Sequence, residues 1–186
     1  NTQEIRHCMS TNRSREFLKA CTEKSEFQRA TDGALVKHLR MADREVVLRF
    51  CAFRLLKGVD EYGPTTTMDS FLSEATEKLD KTLNDEALRL LMEDFVRAME
   101  NAYNLFGRHA FRKWDGGENQ SPINRALFEA WAVALAESTW AGIEPRADAI
   151  KQAYITTLAK NPAYDRAISV ATGGHLRVKL RFNVTR

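Results

Sequence analysis

The sequence predicts an all-α fold: one helical domain, residues 1–186, of roughly seven helices around a central buried helix at 121–138. Two observations predict it, and a third qualifies the C-terminus. From Ala126 to Ala136 the chain reads ALFEAWAVALA, apolar on every helical face except at Glu129. Between Leu88 and Phe106, apolar residues recur at steps of three and four, the mark of a half-buried helix. Strict alternation is found in the tail, where Leu176, Val178, Leu180, Phe182 and Val184 alternate with Arg177, Lys179 and Arg181. That tail reads either as a short strand or as a last helix capped by Thr172.

Each element has a local reason. Asn1 to Asn12 is polar and reads as loop. Arg13 to Ala30 reads as one amphipathic helix ended by Thr31-Asp32-Gly33. Asp43 is the expected cap of a helix running to about Lys57, with Val46, Val47, Phe50 and Phe53 inward. Asp69 is the expected cap of the next helix, which carries Phe71, Leu72, Ala75 and Leu79. A long helix follows from Asn84 to Phe106, with Gly107 where a left-handed cap belongs. Ser121 and Pro122 mark the start of the central helix as cap and first residue. Trp140, Gly142 and Pro145 break the chain before a helix from Ala147 to Ala159. Asn161-Pro162 opens one more.

Composition bounds the function classes. The 44% apolar and 28% charged content is that of a globular domain, and 186 residues bury one good core. A net charge of +3 permits an anionic partner without requiring one. No stretch is apolar and long enough to cross a bilayer, so a membrane is not an expected partner. Cys8, Cys21 and Cys51 are odd in number and share no C-x-x-C spacing, which suits a reduced, cytoplasmic setting. The chain opens on Asn1 inside a polar segment, and the expectation is that it is part of a longer protein.

Few residues advertise chemistry. His7, His38, His109 and His175 are scattered, so no metal site is expected. No phosphate-loop, dinucleotide or nucleophile-elbow pattern is present. Thr172-Gly173-Gly174 reads as a turn before it reads as an anion nest. Glu129 is the odd residue, because a carboxylate in an apolar helix must be paired, protonated or turned to solvent. Arg125 is its local candidate partner, and Arg44, Arg49 and His109 are long-range ones. Arg177, Lys179, Arg181 and Arg186 are the candidate phosphate contacts if the tail is a strand, with Arg40, Arg44 and Arg49 a weaker cluster. The acidic residues between Glu74 and Glu100 read as a solvated face.

Several segments together resemble one family. Asn1-Thr2-Gln3-Glu4-Ile5-Arg6 resembles its L-N-x-Q-E-I-R junction without the first residue. Arg40 to Phe50 resembles its R-M-x-D-x-E-x-x-L-R-F helix. Leu105-Phe106-Gly107 with Ala110-Phe111-Arg112 is similar to its F-G-x-x-A-F-R turn. Ile123 to Glu129 is similar to its I-N-x-x-L-F-E helix, and Thr172 with Arg181-Phe182 to its closing element. The family is the GmrSD-type restriction-endonuclease N-terminal group, a bacterial domain of unknown function.

The resemblance implies a helical half that follows a ParB/sulfiredoxin-like half in modification-dependent restriction or phage defence. The D-G-Q-Q-R-type motif and the HNH nuclease of such proteins have no counterpart here, so no catalytic residue carries over. On this view the chain is a non-catalytic module that needs no cofactor. Nucleotide and divalent metal belong to the parent protein, and the partners are the N-terminal half and duplex DNA. Gln3, Arg6, Arg44, Arg49, Asn124 and Glu129 then hold the core or the interdomain face. Two competing readings stand beside it: a hydrolytic enzyme using Glu129 and His109 near Arg112, and a dimerisation or interaction domain using the acidic helices.

Overall fold

The computed structural model describes residues 2–35, 41–56 and 58–185. Among them there is no sheet. The only pairing of extended backbone is one isolated antiparallel bridge between Arg112 and Ile123. The helices are α1 (Thr2–Met9), α2 (Asn12–Glu23), α3 (Ser25–Ala30), α4 (Ala42–Leu55), α5 (Met68–Glu77) and α6 (Asp85–Phe106). They continue with α7 (Arg125–Ala136), α8 (Trp140–Ile143), α9 (Ala147–Lys160), α10 (Pro162–Ser169) and α11 (His175–Thr185). The all-α expectation holds, with more and shorter helices than seven.

The centre is α7, where Glu129 and every apolar side chain except half-buried Ala134 are buried. α4, α6, α10 and α11 pack around it. Aromatic rings fill the gaps: Phe53 lies 4.6 Å from Phe182 and 4.9 Å from Phe71, and Phe111 lies 4.3 Å from Phe128.

The helix starts differ from those the sequence predicts, and each difference has a cause. α7 begins at Arg125, not at Pro122, because Ile123 is held in the bridge to Arg112 and the Asn124 N–H donates to the Phe111 carbonyl at 2.9 Å. Asn124 is the cap, its Oδ1 accepting from the amides of Ala126 and Leu127 at 2.9 and 3.0 Å. Its Nδ2 donates to the Ile168 carbonyl at 2.8 Å and so ties α10 to the start of α7. Thr67, not Asp69, caps α5, in a reciprocal box with Ser70. Asp43 lies inside the first turn of α4, after Met41 in a left-handed conformation.

The single helix expected over 13–30 is broken at Lys24, and the polar start is helix α1 rather than loop. Trp140 and Gly142, expected to break the chain, lie in α8, which runs through a 3₁₀ turn containing Pro145 into α9. The long helix capped by Asn84 and the Asn161-Pro162 start form as expected.

The strand reading of the tail is overturned. Residues 175–185 form α11, whose buried residues Val178, Arg181 and Phe182 follow steps of three and four. Among the described residues no neighbouring strand satisfies an extended backbone, whereas a helix satisfies its own.

Asn124→Ala removes two cap bonds and the tether to α10. A loss of about 2 kcal/mol is expected in urea denaturation. Asn124→Asp keeps the cap acceptor and is expected to lose only about half as much.

Candidate functional site

A charged cluster lies where α4, α7 and α11 meet. Glu129 is 0% exposed and sits at its centre. Its Oε2 accepts from Arg49 at 2.8 Å, and its Oε1 accepts from Arg181. Arg49 also donates through Nε and Nη2 to Glu45 Oε1, at 3.1 and 3.0 Å. Arg125 approaches Glu45 at 3.3 Å from the half-exposed side. The charges alternate from the interior outward: Arg181, Glu129, Arg49, Glu45, Arg125.

Each position follows from local structure. Glu45 and Arg49 are one turn apart on α4 and pair along the helix. Glu129 is one turn from Arg125 on α7, but its side chain points inward while Arg125 stays at the solvent edge and turns to Glu45. Arg181 is also 0% exposed. Its Nη1 donates to the Thr172 carbonyl at 2.7 Å, which closes the turn before α11. The next carbonyl, of Gly173, accepts from buried Tyr62 at 2.5 Å. The Thr172-Gly173-Gly174 turn therefore offers carbonyls to the core rather than amides to an anion. Burial alone would lower the pKa of Arg49, but the Glu129 and Glu45 carboxylates outweigh it and hold the guanidinium more firmly charged.

This geometry corrects several sequence-based assignments. Arg181 is a core residue, since both its terminal nitrogens are engaged inside, and it does not contact phosphate from there. Helical geometry separates Arg177 from Lys179: Arg177 donates to the Val170 carbonyl, and Lys179 alone is exposed. Arg186, Arg40 and His38 lie outside the described residues, as does Lys57. Gln3 and Arg6 are engaged within this chain. Gln3 is buried and accepts from Arg6 at 2.7 Å, and Arg6 also meets Asp69 at 2.5 Å. Arg44 takes no part in the charged cluster; it reaches the Arg15 carbonyl at 3.4 Å and lies 3.8 Å from Asp43.

The Glu129–His109 pair is not formed. Both Glu129 oxygens are taken by arginine in the dry core, and His109 instead stacks on Trp114 with ring centroids 4.7 Å apart. Arg112, expected near such a pair, is buried and donates to the Thr31 carbonyl at 2.9 Å and the Ser121 carbonyl at 2.5 Å.

Comparison of the chain with protein-family models, with curated proteins and with solved structures yields no match. Among the described residues, no group of three or more His, Cys, Asp or Glu side chains is placed to hold a metal ion. None of their helices is long and apolar enough to cross a membrane.

Other polar residues hold the fold with little signal in the sequence. Asn101 on α6 donates to the carbonyls of Leu135 and Ser138 at 2.9 and 2.8 Å, and Arg97 to that of Ala136 at 2.9 Å. Together they cap the far end of α7. Asp80, read as solvated, accepts from the Thr11 and Ser14 amides at 3.0 and 2.9 Å and caps α2 from outside. Only α6's half-buried stripe would have hinted at Asn101, as the one polar residue on its inner face.

Glu129→Gln leaves buried Arg181 without a counter-charge and Arg49 with Glu45 alone, and is expected to cost about 3–5 kcal/mol in thermal or urea unfolding. Replacing Arg49, Glu129 and Arg181 together by Met, Leu and Met is expected to cost less than that single change, because the fully buried charges leave together and Glu45 keeps Arg125. An additive loss in the triple variant would contradict the coupling.

His109 supplies a pH dependence. Burial, with Arg108 adding to it, lowers its pKa below the ordinary 6.5. The unfolded chain then binds the proton more readily than the folded one. Stability from this residue is complete above 6.5 and declines as pH falls through the folded value. His109→Phe, which keeps a ring against Trp114, is expected to flatten a denaturation-midpoint series below pH 6.5.

Proposed function

We propose that this chain is a non-catalytic bracing module, the helical half of a GmrSD-like defence protein packed against a ParB-like half. One observation carries the reading. The charged residues of three segments that resemble the family, Arg49, Glu129 and Arg181, meet in one buried cluster. Segments far apart in sequence are thereby explained by a single structural need, and their polar residues are engaged in holding helices together. A reaction would need such groups open to a substrate.

The surface that fits a neighbouring half is the outer side of α1. Its polar residues Gln3 and Arg6 are turned inward, whereas Ile5 is 58% and Met9 82% exposed. Large apolar side chains presented together on one short helix suit a packed partner. Duplex DNA is the weaker part of the reading, since Lys179 is the one exposed cation left of the three residues 177, 179 and 181.

The test is to express the reading frame that precedes this chain as a separate polypeptide and measure its binding. A ParB-like half that associates with this chain is expected. Ile5→Asp with Met9→Asp is expected to weaken the complex at least about tenfold, and Lys179→Ala to leave it unchanged. A preceding frame that encodes no such half, or a half that does not bind, overturns the proposal.

A further inference from the structure

The loop between the short 3₁₀ turn at Gly107–His109 and α7 forms one wall of a cleft of about 320 Å³ against α9 and α10. Ile155 and Leu158 of α9 give it an apolar floor, and Trp114 gives it an aromatic wall. That wall is fixed in place. His109 covers one face of the Trp114 ring, nearly parallel to it at 11°. The indole N–H donates to the Gly117 carbonyl at 2.8 Å, so its polar edge is already satisfied.

The loop is anchored at two further points. Lys113 reaches Asp165 at 2.5 Å and the Ser169 hydroxyl at 2.7 Å, both on α10. Gly116, at φ +90°, packs so close to α9 that an added Cβ would stand 3.4 Å from Ile155.

The chemistry of the lining selects among ligands. Lys113 is neutralised by Asp165, which leaves the Asp115 carboxylate as the uncompensated charge and disfavours a phosphate in the cleft. An aromatic wall over an apolar floor favours a flat ring. Asn119 and Ser121 line the same cleft, and a carboxamide and a hydroxyl between them offer both donors and acceptors, a match for the mixed edge of a heterocycle.

We propose that this cleft binds a neutral purine or pyrimidine ring, stacked on the Trp114 side of the cleft and hydrogen-bonded through Asn119 and Ser121. The ring comes either from a free nucleoside or from an unpaired base of a nucleic acid strand. The proposal does not depend on the bracing reading, because it concerns the face formed by α9 and α10 rather than α1.

The test uses the whole chain, with adenosine as the probe and D-ribose as the base-free control. The chain holds three tryptophans, and Trp114→Phe identifies the indole N–H signal of Trp114 in a proton–nitrogen correlation spectrum. Adenosine is expected to shift that signal saturably, with a dissociation constant on the order of 1 mM, and ribose to leave it in place. Trp114→Ala, followed by the backbone amide signals of residues 115–121 in the same spectrum, is expected to abolish binding. Asn119→Ala, at an exposed loop position that leaves folding intact, is expected to weaken it about tenfold.

A ten-residue oligodeoxyadenylate separates the sources. Binding per base at least about tenfold tighter than adenosine assigns the ring to a strand, and equal binding assigns it to a free nucleoside. No saturable shift by either probe, a shift confined to Trp131 or Trp140, or an Asn119→Ala variant that binds adenosine as the parent does, overturns the proposal.

Discussion

The fold depends on one buried carboxylate. α7 is apolar enough to be covered on all sides, and Glu129 then has no route to water. A lone carboxylate in such a place would be very costly, so its two oxygens must each find a cation. They find Arg49 on α4 and Arg181 on α11. Two arginines around one glutamate would leave a surplus charge inside. Glu45 removes it by pairing with Arg49, and Arg125 compensates Glu45 from the half-exposed edge. The sequence of charges ends where water can solvate the last one.

The same economy runs through the helix ends. The first amides and last carbonyls of α7 have no partner within the helix and need partners from elsewhere. Asn124 takes two amides at the start of α7, and Asn101 with Arg97 takes three carbonyls at and just beyond its end. Arg97 also places a cation where the helix dipole is negative. Asn124 ties the start of α7 to α10, and Asn101 ties α6 to the end of α7. The polar residues of the interior are therefore also the ties between helices.

How much of this was legible in the sequence follows from range. The continuous apolar run over 126–136 announced a central helix, and the steps of three and four over 88–106 announced its long neighbour, because periodicity is a local property. Glu129 was legible as a residue in need of a partner, and Arg49 was among the candidates. Arg181 was not, since it lies 52 residues away and reads as a polar member of an alternating tail.

That misreading of Arg181 also produced the strand expectation. Counted as polar and outward, it completes the alternation 176–184; counted as inward, it joins Val178 and Phe182 in a helical stripe. Capping failed for a related reason. Ser121-Pro122 carries a stronger local signal than Asn124, but a bridge to Arg112 keeps the chain extended past it. Nor is the cleft beside Trp114 visible in sequence, where its walls are about 40 residues apart.

Why a charged cluster stands here rather than leucines is a question of register. Apolar side chains tolerate small slides along a helix, with losses of a methylene or two. A slide of α4 or α11 by one residue against α7 would instead strand at least one buried charge. Breaking such a pair costs about 3–5 kcal/mol, against about 1–3 kcal/mol for typical mispacking. The cluster thus adds little net stability over a well-packed apolar core but penalises alternatives heavily. α7 needs that penalty more than its neighbours do, since a helix apolar all round has no polar face to fix its rotation, and Glu129 supplies the missing direction.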